Sequence, residues 1–164
     1  MLRAVFSRMV RAVVRDRAKG EKWAALGCEV SLARIDNSGA LTEAFRDAEG
    51  VFLMTPPNYD SEPGFPDTKR NAAAIRAAIE EARPAKVVLL SNVGANVSEP
   101  NLLNNSGITE AILRTICIPV ALLRAACFME NAALEYGIGQ AGLRTELPAA
   151  SSSQNPDGFN KGHC

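Results

Sequence analysis

The sequence predicts an α/β fold with a doubly wound, mostly parallel sheet, and three observations support this. Five short apolar runs alternate with longer stretches of helical period, which is the pattern of successive βαβ units. The runs Val51–Thr55 (VFLMT) and Lys86–Ser91 (KVVLLS) read as buried strands, as in parallel sheets covered on both faces. Finally, 164 residues with 47% hydrophobic and 22% charged side chains suit one globular domain with a substantial core. The same composition excludes a disordered chain, a collagen-like repeat and a disulfide-stapled miniprotein.

Val10–Arg15 (VRAVVR) is β-branched and reads as the first strand, and the helix formers from Asp16 to Leu26 follow it up to a stop at Gly27. Glu29–Ala33 (EVSLA) alternates as a second strand. Asn37 or Ser38 caps a helix whose Leu41, Ala44 and Phe45 fall at i, i+3 and i+4. Gly50 breaks that helix, and Val51–Thr55 (VFLMT) reads as a buried third strand. Proline, glycine and acid mark a loop over 56–65. A long helix then runs from Pro66 to Arg83 with Ile75, Ala78, Ile79 and Ala82 on one face, and Pro84 ends it. Lys86–Ser91 (KVVLLS) is the clearest buried strand. The loop 92–105 precedes a helix carrying Ile108, Ala111, Ile112 and Thr115, and Pro119 leads into a fifth strand, Val120–Arg124. Residues 1–136 thus form one domain. Beyond Tyr136, Gly, Ser, Asn, Gln and Pro predominate without apolar period, so Gly137–Cys164 reads as a poorly ordered tail, dispensable for folding.

Eighteen Lys and Arg balance eighteen Asp and Glu, so no basic excess draws the chain to nucleic acid. No apolar run reaches the roughly 18 residues of a membrane span. The first ten residues lack a cleavage site, which argues against a secretory signal. Cys28, Cys117, Cys127 and Cys164 have no CxxC spacing, and the single histidine, His163, lies in the polar tail. Neither a zinc site nor a redox dithiol follows. The cysteines read as three small buried hydrophobes and a tail thiol in a reducing cytoplasm.

In doubly wound sheets the ligand lies beyond the carboxyl ends of the strands. Arg15, Asp16 and Lys19 follow the first strand there. A cation at this point suits the 2′-phosphate of NADP, where NAD-preferring sites place an acid, although first-turn cations are ordinarily just solvated. Thr55-Pro56-Pro57 follows the third strand and Ser91-Asn92-Val93-Gly94-Ala95 the fourth. Small residues and prolines there admit a flat ligand or simply make turns.

Five words together carry a resemblance: VRAVVRDRAK (10–19), GCEVSLARID (27–36), ALTEAFRDAEGVFLMTPP (40–57), KVVLLSNVGA (86–95) and PVALLRAACFMEN (119–131). Over roughly residues 10–136 the chain resembles the NmrA-like, atypical short-chain dehydrogenase group, including its NAD(P)H:quinone oxidoreductase-like members. The resemblance implies a Rossmann-like fold and NADP(H) as cofactor. Arg15 and Lys19 would hold the adenosine 2′-phosphate with Asp16 beside them, and Arg34 and Ile35 would edge the adenine. Thr55, Pro56 and Pro57 would line the ribose and pyrophosphate, Asn92 and Val93 would lie near the nicotinamide, and Phe128 and Asn131 would floor the substrate pocket. Core packing is the alternative for Phe128.

The chain also departs from that family. The first strand and its glycine-rich loop are missing, since the first glycine is Gly20. Met1–Met9 resembles the helix after that loop, with Leu2, Val5, Phe6 and Met9 on one face, so the chain reads as truncated. Arg34 replaces an acid. The Tyr-xxx-Lys pair is missing, because Tyr59 and Tyr136 have Pro63 and Gln140 four residues on, and Ser106 stands four before Glu110 where a neighbouring reductase group has lysine. No catalytic acid or base is identified. The resemblance implies an NADPH-dependent oxidoreductase acting on a quinone-like or other small acceptor. The alternatives are a non-catalytic NADP(H) sensor that docks a protein partner, and an inactive truncated product. In the strand order 3-2-1-4-5-6 the missing strand lies between Val10–Arg15 and Val51–Thr55. A gapped sheet, a helix at Met1–Phe6 and weak cofactor binding are therefore expected.

Overall fold

The β-branched run after Met9 forms β1 (Arg11–Val14), and four further strands follow: β2 (Glu29–Leu32), β3 (Gly50–Met54), β4 (Lys86–Asn92) and β5 (Val120–Ala125). Between them lie α1 (Arg17–Ala25), α2 (Ser38–Phe45), α3 (Pro66–Ala82) and α4 (Asn104–Leu113). The computed structural model describes residues 8–56, 61–97 and 104–126, all within one unit, Met1–Ala126. A second unit, Cys127–Cys164, lies outside the described residues, as do the expected helix at Met1–Phe6, Pro57, Phe128, Asn131 and the tail.

Local chemistry sets the helix ends. Asp16 caps α1, its Oδ1 accepting the Ala18 N–H at 2.9 Å, and Asn37 caps α2 by accepting from Ala40 N–H at 3.0 Å. Pro66 opens α3, where its missing N–H costs nothing. Arg83 ends α3 in the left-handed region at φ 51°, its N–H on the Ile79 carbonyl, and Pro84 prevents continuation. Gly50 does not merely break α2. It is the first residue of β3.

The strands are parallel but divide into two sheets, β1-β2 and β3-β4-β5. Among the described residues no strand joins β1 to β3. Arg11 ties the two parts at their amino ends: its Nη1 donates to the carbonyls of Ala44 and Arg46 at 3.0 and 2.9 Å, and its Nε donates to Glu29. Glu49, just before β3, pairs with Arg8 and with Lys86.

Val51 and Leu53 of β3 and Val87 and Leu89 of β4 interleave with Leu41, Ala44 and Phe45 of α2, Ile75, Ala78 and Ile79 of α3, and Leu113 of α4. This is the core. The helix α1 instead covers β1-β2 at Gly20, where a Cβ would come within 2.7 Å of Val30 Cγ1.

Three expectations about burial are corrected. The β3–β5 sheet is covered on one face among the described residues, because α2, α3 and α4 all pack on that side. Phe52, Met54 and Leu123 on the other face are 61%, 70% and 54% exposed. The buried stripe of α4 is Thr109, Glu110 and Leu113, with Ala111 and Thr115 exposed and Ile108 and Ile112 half-buried. Cys117 is exposed and Cys28 only half-buried, since both lie in connections outside the core.

Candidate functional site

The carboxyl end of β1 runs directly into the α1 cap. Arg15 and Asp16 form this turn, and Lys19 follows in the first turn of the helix. Arg15 and Lys19 are exposed and make no ion pair or side-chain hydrogen bond among the described residues. Asp16 is already engaged through Oδ1 as the cap. After β2, Arg34 grips Asp36 through two hydrogen bonds of 3.1 Å. That contact holds the Asp36 carboxyl below the usual carboxylate range and raises Arg34. Ile35 is half-buried against the core. Thr55 is half-buried and Pro56 exposed at the end of β3.

The end of β4 is more strongly built. Asn92 Nδ2 donates to Ser106 Oγ at 2.7 Å, and Asn92 Oδ1 is buried with no partner among the described residues. An unpaired carbonyl oxygen of this kind costs free energy until a donor reaches it. Val93, 54% exposed, and Gly94, at φ 88°, lead out of the strand. Gly107 on α4 packs against this loop so closely that a Cβ would overlap the Ala95 carbonyl oxygen.

Behind Asn92 stands an ionic cluster, buried at Glu110 and Ser91 and partly exposed at Arg124, that links β4, α4 and β5. The Glu110 carboxylate, whose side chain is 4% exposed, accepts from Arg124 Nε at 2.9 Å and Nη2 at 2.6 Å, and from Ser91 Oγ at 2.6 Å. Hydrogen bonding from Arg124 holds the Glu110 carboxyl below the usual carboxylate range, against its burial, and Ser91 assists. The same bond raises Arg124. Arg124 Nη1 also reaches Asn96 Oδ1 at 3.3 Å, which ties the loop after β4 to β5. Sequence reading noted Glu110 and Arg124 singly but missed the cluster. The sequence carried no direct signal for it, because the apolar period of α4 turns Ile108, Ala111 and Ile112 inward rather than Glu110.

The structure thus places the described candidate residues of β1, β2, β3 and β4 at or just after strand ends. A cleft of about 390 Å³ lined by Leu113, Arg114, Ile116, Ile118, Val120 and Leu122 lies at the start of β5, away from those ends. Among the described residues no cluster of His, Cys, Asp and Glu is arranged to hold a metal ion, and no helix is long and apolar enough to cross a membrane.

The chain is similar to solved structures of several reductases. With an NADPH-dependent quinone oxidoreductase from Escherichia coli, solved with NADPH, it shares 26% identity and a TM-score of 0.65 over 80% of this chain and 45% of that one. With the Citrobacter triphenylmethane reductase complexed with NADP(H), the identity is 23% and the TM-score 0.67, over 80% and 45% of the two chains. With the anaerobillin reductase ChuY from Escherichia coli O157:H7, they are 16% and 0.60, over 85% and 82%. The chain spans about 45% of the length of the quinone oxidoreductase and triphenylmethane reductase structures. No curated protein matches the sequence at a significant level. The NAD(P)H-binding family model matches residues 3–152, nearly the whole sequence and all the described strands, and the chain therefore belongs to the NAD(P)H-binding family.

Proposed function

We propose that this chain is the nucleotide-binding part of an NADP(H)-dependent oxidoreductase that acts on a quinone-like or other small flat acceptor. The observation that carries this reading is the pair of unengaged cations at the carboxyl end of β1, Arg15 and Lys19, in a chain of the NAD(P)H-binding family. The guanidinium of Arg15 offers a planar fork to the 2′-phosphate and Lys19 adds a second charge. These residues fit the adenosine end of the cofactor. Arg34 and Ile35 would border the adenine, and Thr55, Pro56 and Pro57 the ribose and pyrophosphate. Asn92, with its unpaired Oδ1, and Val93 would meet the nicotinamide end, while Phe128 and Asn131 would contact the acceptor. The cofactor supplies hydride when bound, and these side chains bind and orient.

Arg15→Ala is expected to weaken NADPH binding about ten- to a hundredfold, the loss of one charge-assisted contact, with little change for NADH. Isothermal calorimetry with both cofactors tests this, and equal losses would reject the assignment. The pyrophosphate has no backbone cradle among the described residues, so affinity for the wild-type chain is expected to be weaker than micromolar.

A second reading, a non-catalytic NADP(H) sensor with a protein partner, is favoured by one observation. The buried carboxylate nearest the site, Glu110, is fully engaged by Arg124 and Ser91 and is not poised to move a proton. Turnover with a simple quinone and NADPH supports the first reading. Binding without turnover supports the second.

A further inference from the structure

The two strands of the β1-β2 ladder release the chain side by side. The Ala33 N–H donates to the Val14 carbonyl at 3.0 Å, one step past the Val14–Leu32 pair. The residues that come next, Arg15 and Arg34, therefore leave adjacent points at the same end of the sheet. Parallel neighbours lie about 4.8 Å apart, so two arginine side chains rooted there can reach one ligand.

The two arginines differ in what they have left to offer. Arg15, like Lys19, makes no ion pair or side-chain hydrogen bond among the described residues, so its full charge is available. Arg34 instead donates from Nε and Nη2 to the two carboxylate oxygens of Asp36, and yet its side chain is 76% exposed. Edge-on pairing of this kind offsets the charge a phosphate would seek, fixes the guanidinium plane and leaves its faces unused. The clasp is itself seated. Ile35, between the partners, packs against the core, and the Asn37 N–H donates to the Arg34 carbonyl at 3.1 Å where the chain turns into α2. An acid at this position, as in the family the sequence resembles, could accept from the amino group of a base. Arginine has no acceptor, and what it offers a base is its face.

We propose that the Arg34 guanidinium is the platform on which the adenine ring of the dinucleotide stacks, and that Asp36 is the residue that positions it. The base and the 2′-phosphate are then held by different side chains, the base by Arg34 and the phosphate by Arg15 and Lys19. A stacked face reads the area of the ring rather than its hydrogen-bonding edge, so it tolerates changes at that edge. The inference rests on the nucleotide reading above and deepens it by naming the side chain that holds the base.

The test is a set of binding titrations on the full 164-residue chain with NADPH, NADH and the reduced hypoxanthine analogue of NADPH. Arg34→Ala is expected to weaken NADPH and NADH by the same factor, about tenfold, the scale for one stacked base. Arg15→Ala differs, since its loss falls on NADPH. Arg34→Tyr, which restores a flat face without charge, recovers most of the affinity, whereas Arg34→Lys, which keeps the charge without the plane, does not. Asp36→Asn weakens both cofactors beside Arg34 and changes nothing beside Arg34→Tyr, a coupling that a purely structural role for Asp36 would not produce. The hypoxanthine analogue binds the wild-type chain within about twofold of NADPH. A loss confined to NADPH in Arg34→Ala would make Arg34 a third phosphate ligand. Full retention in Arg34→Lys would reduce it to a charge, and a much weaker hypoxanthine analogue would mean that the base edge is read. Any of these, or an unaffected Arg34→Ala where Arg15→Ala behaves as expected, overturns this inference alone. Absence of binding by the wild-type chain at millimolar cofactor overturns the nucleotide reading and this inference with it.

Discussion

Glu110→Ala is expected to destabilise the chain by about 3 kcal/mol, the scale for losing charge-assisted hydrogen bonds to a buried carboxylate and leaving a buried hydroxyl unpaired, Arg124 itself being partly exposed. For a domain of this size that lowers the thermal midpoint by about 10 °C. The variant strips Arg124 of both its carboxylate bonds and leaves the Ser91 hydroxyl, buried at the end of β4, without an acceptor. Glu110→Gln keeps an acceptor for Ser91 and nearly the same volume, so it is expected to lose less. The two variants also separate the charge from the packing through pH. The folded Glu110 carboxyl titrates below its unfolded range, so its stabilisation is complete above the ordinary carboxylate pKa of about 4.3 and is lost as pH falls through the depressed value. Wild-type stability should therefore fall on acidification below that range, and Glu110→Gln should flatten this part of the fall. Thermal melts at a series of pH values measure both effects. An unchanged acid limb in Glu110→Gln would show that the pair contributes no charge-dependent stability.

Gly107→Ala is expected to cost a similar amount, about 3 kcal/mol, at the upper end of overpacking effects. The obstacle is the Ala95 carbonyl oxygen, a backbone atom in the loop after β4 that cannot swing aside as a side chain would. The loop must separate from α4, which also strains the Asn92–Ser106 hydrogen bond one residue away. Gly39→Ala is the matched control. A Cβ on Gly39 in α2 meets nothing closer than Asn37 Oδ1 at 3.7 Å, so the same substitution there should stabilise by up to about 1 kcal/mol through helix propensity. Opposite signs in urea denaturation would confirm that close approach, rather than loss of glycine flexibility, governs Gly107. A neutral Gly107→Ala would mean that the loop yields freely.

Local signals made most of the fold legible. The caps at Asp16 and Asn37, proline before and after α3, and the apolar face of Ile75, Ala78 and Ile79 all act within a few residues of one another. They placed the helices and all five strands close to where they stand. The separation of β1 from β3 among the described residues was legible only through the family resemblance, whose first strand is missing from this sequence. Contacts that join distant segments were not legible. Apolar period on α4 favours Ile108, Ala111 and Ile112 inward, yet Arg124, on a strand 14 residues later, draws Glu110 in and turns the helix. Phe52 and Met54 read as core because the run VFLMT is apolar throughout, and burial depends on which helices arrive on each face. Of the candidate site, the strand-end positions of Arg15, Thr55 and Asn92 followed from topology. Asp16's engagement as a cap and the open oxygen of Asn92 required the geometry.

The division of the strands into two ladders bears on how the chain comes apart. No hydrophobic side chain of β1, α1 or β2 belongs to the buried core, which is drawn from α2 onward. Within the one unit Met1–Ala126, the segment 11–32 is thus expected to open more readily than the rest, fastened chiefly through Arg11 and the half-buried Ala33 and Ile35. The single tryptophan, Trp23, lies on α1. Its fluorescence should therefore report an opening at lower urea than the loss of the β3-β4-β5 ladder seen by circular dichroism. Arg15 and Lys19 sit on this weaker segment, so any nucleotide they hold binds only its closed form. Mass action then makes the ligand a clamp: each increase in its concentration raises the stability of 11–32, and contacts at the proposed Thr55 and Asn92 positions would couple that segment to the β3-β4-β5 ladder.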